Sequence, residues 1–404
     1  MQLAKGYRLL KFMNRPHGFL IRGCFSVGAW AGALCTTRSF TLAKKLAAEY
    51  WQDSFYSALR KSARFARYFS ARLDFFNDPF YDFTSGADGE ELDALQKHLQ
   101  TLKNVIPLNV YLTDLLYIQA ARIHGLLLCK QDASVEISIF YELANRVLRN
   151  IKIKDEQNTF VSSLTEGADD FDITDARQAL EDIAKLLPNR DWPWYVVSGT
   201  FLGLHREGGF LSHDYDIDLG INAEDIEIDA LLSKLRKSHD FTIGKLDYHY
   251  EVLGNGSQRT LRTRLSIIKL VHKNGLQIDL FIHYTENGRC WHGSSIHRWE
   301  NTPFKLVERE FEGVMVLAPE NADRYLTENY GDWRTPVKEF DCTTGTPNLV
   351  VAKNFISVAL FIKRYSYFAI HDPQAAIKLL HTMQVARVFS VENTNNEINL
   401  IFSL

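Results

Sequence analysis

Asp214, Asp216 and Asp218 stand two residues apart in the run HDYDIDLG, and carboxylate alternates with apolar residue from Tyr215 to Ile221. That alternation predicts a β-strand with the carboxylates on one face. Clustered carboxylates repel one another unless a cation or proton lies among them. Mg²⁺ suits such a place, because it takes hard oxygen ligands and keeps positions open for water and phosphate. Asp279 lies in the otherwise apolar run LQIDLF, where an acid buried alone is costly. If that strand lies beside the first, Asp279 joins Asp216 and Asp218 at one ion, the arrangement that phosphoryl transfer needs. A calcium loop opening at Asp214 would put Asp225 twelfth, but it requires glycine sixth, where Leu219 stands. A solvated acidic face is the simpler alternative, and the apolar surroundings of Asp279 argue against it.

The elements that must hold these acids follow from local patterns. Trp194–Val197 predicts a short strand, and the small residues Ser198, Gly199 and Thr200 after it predict a turn into a helix. Such a turn presents backbone N–H groups to an anion. Arg206 could add a bidentate phosphate clamp. Asp172 or Thr174 caps a helix that Pro188 ends. Ile226–Leu235 is helical in pattern. Leu261–Val271 and Leu276–Tyr284 flank Asn274-Gly275, a type I′ hairpin signal, and Asn287-Gly288 offers a second. Upstream, Leu92–Leu102, Val110–Leu128 and Val135–Leu148 have helical spacing, as do Phe55, Leu59, Ala63 and Ala66. The expected fold is α+β. A helical domain over 1–153 and a polar linker over 154–171 precede a mixed α/β domain with a small sheet over 172–347. A helical extension with two helices around Asp372-Pro373 follows over 348–404.

At this point a resemblance carries the reading further. SGTFLGLHREGGFLSHDYDIDLGI resembles the signature of the LicD/fukutin family, LQIDLFIHYTENG resembles its second acidic strand, and ENADRYLTENYGDW resembles its closing segment. The resemblance covers about 172–345. It implies a nucleotidyltransferase-like core with Mg²⁺ or Mn²⁺ held by Asp216, Asp218 and Asp279. It also implies transfer of a phospho-alcohol of the phosphocholine, ribitol phosphate or glycerol phosphate type from a CDP-linked donor to a glycan or lipid-linked glycan. CMP would be released, in the synthesis of cell-surface polysaccharide or glycoconjugate. On that reading Ser198, Gly199, Thr200, Arg206 and Asp214 face the substrate. Asp279 either completes the metal site or takes the proton of the acceptor hydroxyl. Two departures stand out. His213 occupies the place of the family's usual Trp. The four-cysteine insertion of some animal relatives is missing, and Cys290 with His292 and His297 is a poor substitute for it.

With 404 residues the chain is long enough for two domains, and its apolar and charged fractions are those of a globular protein. Residues 1–73 hold 13 Lys/Arg against two acids, a net of +11, which leaves 33 basic and 47 acidic residues, or −14, for the remainder. The asymmetry, with Arg60, Lys61, Arg64 and Arg67 as a stripe, predicts contact with an anionic membrane surface or an anionic glycan rather than with nucleic acid. Gly23–Cys35 is too short to span a bilayer, and the long start before it argues against a signal peptide. Five scattered cysteines predict a reducing, cytoplasmic setting, peripheral at the inner membrane face; for a eukaryotic source the alternative is the Golgi lumen. The other histidines (His205, His249, His272, His283) match no metalloprotease spacing and are expected at the surface or satisfied in the core. Two rival functions remain: a nucleotidyltransferase acting on a small molecule, and a non-catalytic helical adaptor with a degenerate transferase domain. Three intact acids argue against the adaptor.

Overall fold

The computed structural model describes residues 89–101, 103, 108–151, 172–211, 216–336, 342, 346–385, 389–394 and 397–402. The basic stripe from Arg60 to Arg67, the Gly23–Cys35 segment, the linker 154–171, and His213 and Asp214 lie outside the described residues. The architecture is α+β and divides into two compact units.

The first unit draws on residues before Glu166 together with Ala359–Leu380 and Val391–Ile401. Its helices α1 (Gly89–Thr101), α2 (Leu108–Leu128) and α3 (Ser134–Arg149) fall where helical spacing placed them. α2 is buried on nearly every side, so its apolar residues are spread round the helix rather than striped, with Asp114, Gln119 and His124 buried among them. Arg122 donates to Asp93 at 2.5 Å and to Gln96 at 3.0 Å, which fixes α1 on α2. Gln119 on α2 donates to the Glu136 carbonyl of α3 at 3.0 Å. Among the described residues no helix is long and apolar enough to cross a membrane.

The second unit, chiefly Glu166–Val358, contains a ten-stranded mixed sheet. The strands are β1 (Tyr195–Val196), β2 (Asp216–Asn222), β3 (Phe241–Leu253), β4 (Thr260–His272), β5 (Gln277–Glu286), β6 (Arg289–Gly293), β7 (His297–Asn301), β8 (Leu306–Phe311), β9 (Val314–Pro319) and β10 (Leu349–Val351). They are joined with α4 (Ile173–Leu186), α5 (Ser198–Arg206), α6 (Ile228–Arg236) and α7 (Ala322–Tyr330). The path runs β10-β7-β6-β5-β2-β1-β9-β8, and it forks at β5, where β4 and then β3 join. The small sheet expected from the sequence is therefore corrected to a large one. The extra strands hide because several carry charge where an apolar residue would mark them, as Glu308, Arg309 and Glu310 do on β8.

β5 organises this unit. It runs parallel to β2 over Gln277–His283 and antiparallel to β4 over Gln277–Phe281, and its last residues pair with β6. Ile217, Leu219 and Ile221 of β2 and Ile278, Leu280 and Ile282 of β5 all point into the core, so the acids between them share the opposite face. The hairpin at Asn274-Gly275 is present, but it is not type I′. Gly275 N–H donates to the His272 carbonyl at 2.8 Å, only Gly275 has positive φ (99°), and the loop is the three-residue kind with a glycine bulge. Asn287-Gly288, with φ of 51° and 72°, does have the two positive φ values of type I′.

Asp172 caps α4 by accepting from the N–H of Thr174 at 2.8 Å and of Asp175 at 3.4 Å. Helices α8 (Phe355–His371) and α9 (Pro373–Val385) meet at Asp372-Pro373 as expected. The purely helical reading of 348–404 is corrected by β10 and by the strands β11 (Phe389–Thr394) and β12 (Glu397–Phe402), which pair with each other. Their apolar residues recur with period two, for example Ile398, Leu400 and Phe402.

Candidate active site

Asp216 and Asp218 sit two apart on β2, and register places Asp218 directly beside Asp279 on β5. Adjacent partners in a ladder project to one face. One carboxylate oxygen from each of Asp216, Asp218 and Asp279 lies within 4.8 Å of the other two. Asp216 and Asp218 are half-buried and Asp279 is buried.

The surroundings differ for each acid. Asp218 is gripped by the turn between β1 and α5. Its backbone N–H donates to Thr200 Oγ1 at 2.8 Å, its carbonyl accepts from Val197 N–H at 3.1 Å, and its Oδ2 accepts from Gly199 N–H at 3.3 Å. The N-terminus of α5 thus points at Asp218. Ser198 enters this helix with a φ of 47°, an unusual value for a residue with a side chain. Asp279 has a different partner. Lys269, opposite it on β4, contacts its Oδ2 through Nζ, whereas Oδ1 is buried and has no hydrogen-bond partner.

The residues expected to face substrate divide on the structure. Gly199 lies at the acids, and Ser198 precedes it. Thr200 also lies there, but it is fully buried and its hydroxyl is engaged by the Asp218 N–H, so it positions the strand. Arg206 is eight residues along α5 from Ser198, roughly 12 Å at the usual helical rise. It donates to the Trp333 carbonyl at 3.3 Å and to Glu207 at 2.9 Å. It therefore ties α5 to the segment after α7 and is not brought to the acids. Lys269 was missed by the sequence reading. Its signal was a lone lysine in the apolar run SIIKLVH, placed as far before Asn274 as Asp279 lies after it.

His249 and His283 depart from expectation, and His292 joins them. His283 and His292 are buried with ring centroids 4.6 Å apart, and each has one ring nitrogen without a partner. Burial pushes His283 down to about 4 and holds His292 well below the ordinary histidine value. His249 likewise is buried, is pushed down to about 4, and has a ring nitrogen without a partner. His272 is satisfied by Asp182 at 3.3 Å, and His205 packs on Trp333.

Chemically, the acid group has one committed oxygen on Asp279 and one uncommitted one, with two more carboxylates next to it. A divalent ion about 2.1 Å from each ligand holds opposite oxygens at most roughly 4.2 Å apart. Side-chain atoms within 4.8 Å of one another could close on such an ion through small rotamer changes. The donor set is all oxygen, which fits Mg²⁺ or Mn²⁺ and does not fit a thiophilic metal.

Residues 192–321 match the family described as LicD/FKTN/FKRP, nucleotidyltransferase domain, and the chain carries a domain of that family. Among curated relatives, it is similar to ribitol-5-phosphate transferase FKTN of Mus musculus, at 29% identity over 185 residues, covering 43% of this chain and 36% of the relative. The Homo sapiens FKTN is 28% identical over the same length and coverage. Ribitol 5-phosphate transferase FKRP of Mus musculus is 26% identical over 144 residues, covering 34% of this chain and 27% of the relative. The chain thus spans about a third of the length of the FKTN relatives it matches.

Proposed function

We propose that this protein is a metal-dependent phospho-alcohol transferase that moves an alcohol phosphate from a CDP-linked donor to a glycan hydroxyl. The observation that supports it most is the Asp216–Asp218–Asp279 group, in which a buried oxygen of Asp279 has no partner inside a domain of this family. The curated relatives named for ribitol phosphate transfer support the alcohol-phosphate part of the reading.

A bound Mg²⁺ or Mn²⁺ would neutralise charge on the donor diphosphate and on the transferring phosphoryl group. Asp216, Asp218 and Asp279 would hold it. The chain's own residues do the remaining work. The Gly199 N–H and the Thr200 hydroxyl fix Asp218 on its strand, and Lys269 contacts one oxygen of Asp279, whose other oxygen would be open to an ion. The acceptor oxygen forms a new bond to the donor's outer phosphorus as the bond from that phosphorus to the CMP oxygen breaks. The hydroxyl proton passes to a nearby carboxylate, CMP departs, and a phosphodiester remains on the glycan. We place the acceptor, as a glycan or lipid-linked glycan, within the synthesis of a surface glycoconjugate.

The test is CMP release from CDP-ribitol, CDP-glycerol and CDP-choline, each with glycan acceptors, by the protein and by Asp216→Asn and Asp218→Asn. The expected loss is at least about 10²-fold for either variant with the fold intact, as for removal of a main electrostatic element. Near-normal CMP release from either folded variant overturns the assignment.

A further inference from the structure

The register of the sheet continues past the acids. Asp218 on β2 lies beside Asp279 on β5, Asp279 lies beside Lys269 on β4, and Lys269 lies beside Lys245 on β3. A bulge between Ile243 and Lys245 sets that last pairing. Partners in a ladder share a face, and neighbouring strands are roughly 4.8 Å apart. One face therefore carries two acids and then two lysines in a straight row across four strands, with the lysines within roughly 10 Å of Asp279.

The two lysines are held, but loosely. Lys269 contacts Asp279, whose side chain is 10% exposed, while its own is 36% exposed. Lys245 pairs with Asp247 at 2.6 Å, and its side chain is 51% exposed. Asp279 keeps its second oxygen without a partner in the buried wall of the row. Once another cation shares Asp279, the hold on Lys269 weakens, and its flexible, half-exposed stem can turn toward solvent. A phosphate arriving beside the acids would then meet ammonium groups on the side where the acids end.

We propose that Lys269 and Lys245 form an anion-binding strip that continues the transfer site and takes a phosphate group of the substrate, with Lys269 the principal contact. The inference rests on the phosphotransferase reading and deepens it, because it assigns residues to the second charged portion of a substrate. The same chemistry has two sources, the diphosphate of the donor or a phosphate carried by the acceptor.

The experiment is calorimetric titration of inorganic pyrophosphate into the full chain at fixed, saturating free Mg²⁺, with Mg²⁺ titrated alone in parallel. Lys269→Gln is expected to weaken pyrophosphate binding by at least about tenfold, the worth of one charge-assisted phosphate contact. Lys245→Gln is expected to weaken it by about threefold, as for a more exposed charge. Mg²⁺ affinity in Lys269→Gln is expected to stay equal or to tighten, since a competing cation is gone, and Lys269→Arg is expected to keep pyrophosphate affinity within about threefold. Unchanged pyrophosphate binding in Lys269→Gln overturns the proposal. So does a loss of Mg²⁺ affinity by the same factor, which would make Lys269 a prop for Asp279 only. Competition with CDP separates the sources: mutual exclusion assigns the strip to the donor, and simultaneous binding assigns it to the acceptor. Neither readout requires turnover, so absence of CMP release from every donor would end the transferase reading and leave this result standing or falling by itself.

Discussion

Each of the two units buries a lysine–aspartate contact, and the two contacts are built differently. In the helical unit Lys363 on α8 meets Asp114 on α2, with side chains 7% and 3% exposed. In the sheet unit Lys269 meets Asp279 with the lysine a third exposed and two further carboxylates within reach of the aspartate. A pair removed from water on both sides has exchanged hydration for contacts in the core, and it is stable only while those contacts stay. A pair open on the lysine side keeps part of its hydration, so its lysine can leave at small cost. The first kind holds helices in register, and the second is suited to ligand exchange.

Substitution at the closed pair is the strongest way to break this comparison. Lys363→Met is expected to cost about 3–5 kcal/mol of stability, because it removes the ammonium that the buried Asp114 contacts. Chemical denaturation read by far-UV circular dichroism would check it, and Asp114→Asn should cost a similar amount. A loss below about 1 kcal/mol in both variants would show that the helical pair is no more committed than the one in the sheet.

A third acid sharpens the contrast. Asp182 on α4 is buried, which alone would raise its pKa. Hydrogen bonds from Gln178, Lys185, Lys273 and His272 outweigh burial and hold it at about 2. A carboxyl whose native pKa lies below its unfolded value of about 3.9 adds stability above that value and loses it as pH falls through the native one. Asp182→Asn is therefore expected to cost on the order of 1–2 kcal/mol at pH 7. The deficit should shrink as pH falls from about 4 to about 2 in denaturation measured across that range. A deficit that stays constant with pH would mean that the charge of Asp182 contributes nothing.

How much of this was legible in the sequence depends on whether the information was local. Asp216, Asp218 and Asp279 could be read because a carboxylate at every second position, and another within an apolar strand, have few ordinary explanations. The capped start of α4 and the break at Asp372-Pro373 were legible for the same reason, since caps and prolines act on their own neighbourhood. The size of the sheet was not legible, because β6 to β10 are short and several carry charge where an apolar residue would mark a strand. Arg206 could not be placed, since its position on α5 allowed a phosphate contact as readily as the Trp333 carbonyl. Lys269 is the instructive case. Asn274-Gly275 announced the hairpin, but a two-residue type I′ loop pairs Asp279 with Leu270, and only the three-residue loop with its glycine bulge brings Lys269 opposite Asp279.

The smallest predicted effect is the one most specific to the open pair. Lys269→Met removes the ammonium beside Asp279 but leaves that carboxylate near a partly hydrated edge. Without divalent ions the variant is expected to lose only about 1 kcal/mol, the scale of a partly exposed ion pair together with some added repulsion among three acids. With saturating Mg²⁺ the loss should shrink, since a ligand that binds the native state adds RT ln(1 + [L]/Kd) of stability, and binding about fivefold tighter in the variant, where no ammonium competes for Asp279, offsets about 1 kcal/mol. Lys363→Met should show no such selective recovery, because Asp114 belongs to a pair in the helical unit and not to the acid group. Melting temperatures of the two variants and the parent in EDTA and in Mg²⁺ would decide it. Recovery of both variants to the same extent would mean that Mg²⁺ stabilises the fold without reference to Asp279. Recovery of Lys269→Met alone would tie the ion to the carboxylate that Lys269 holds.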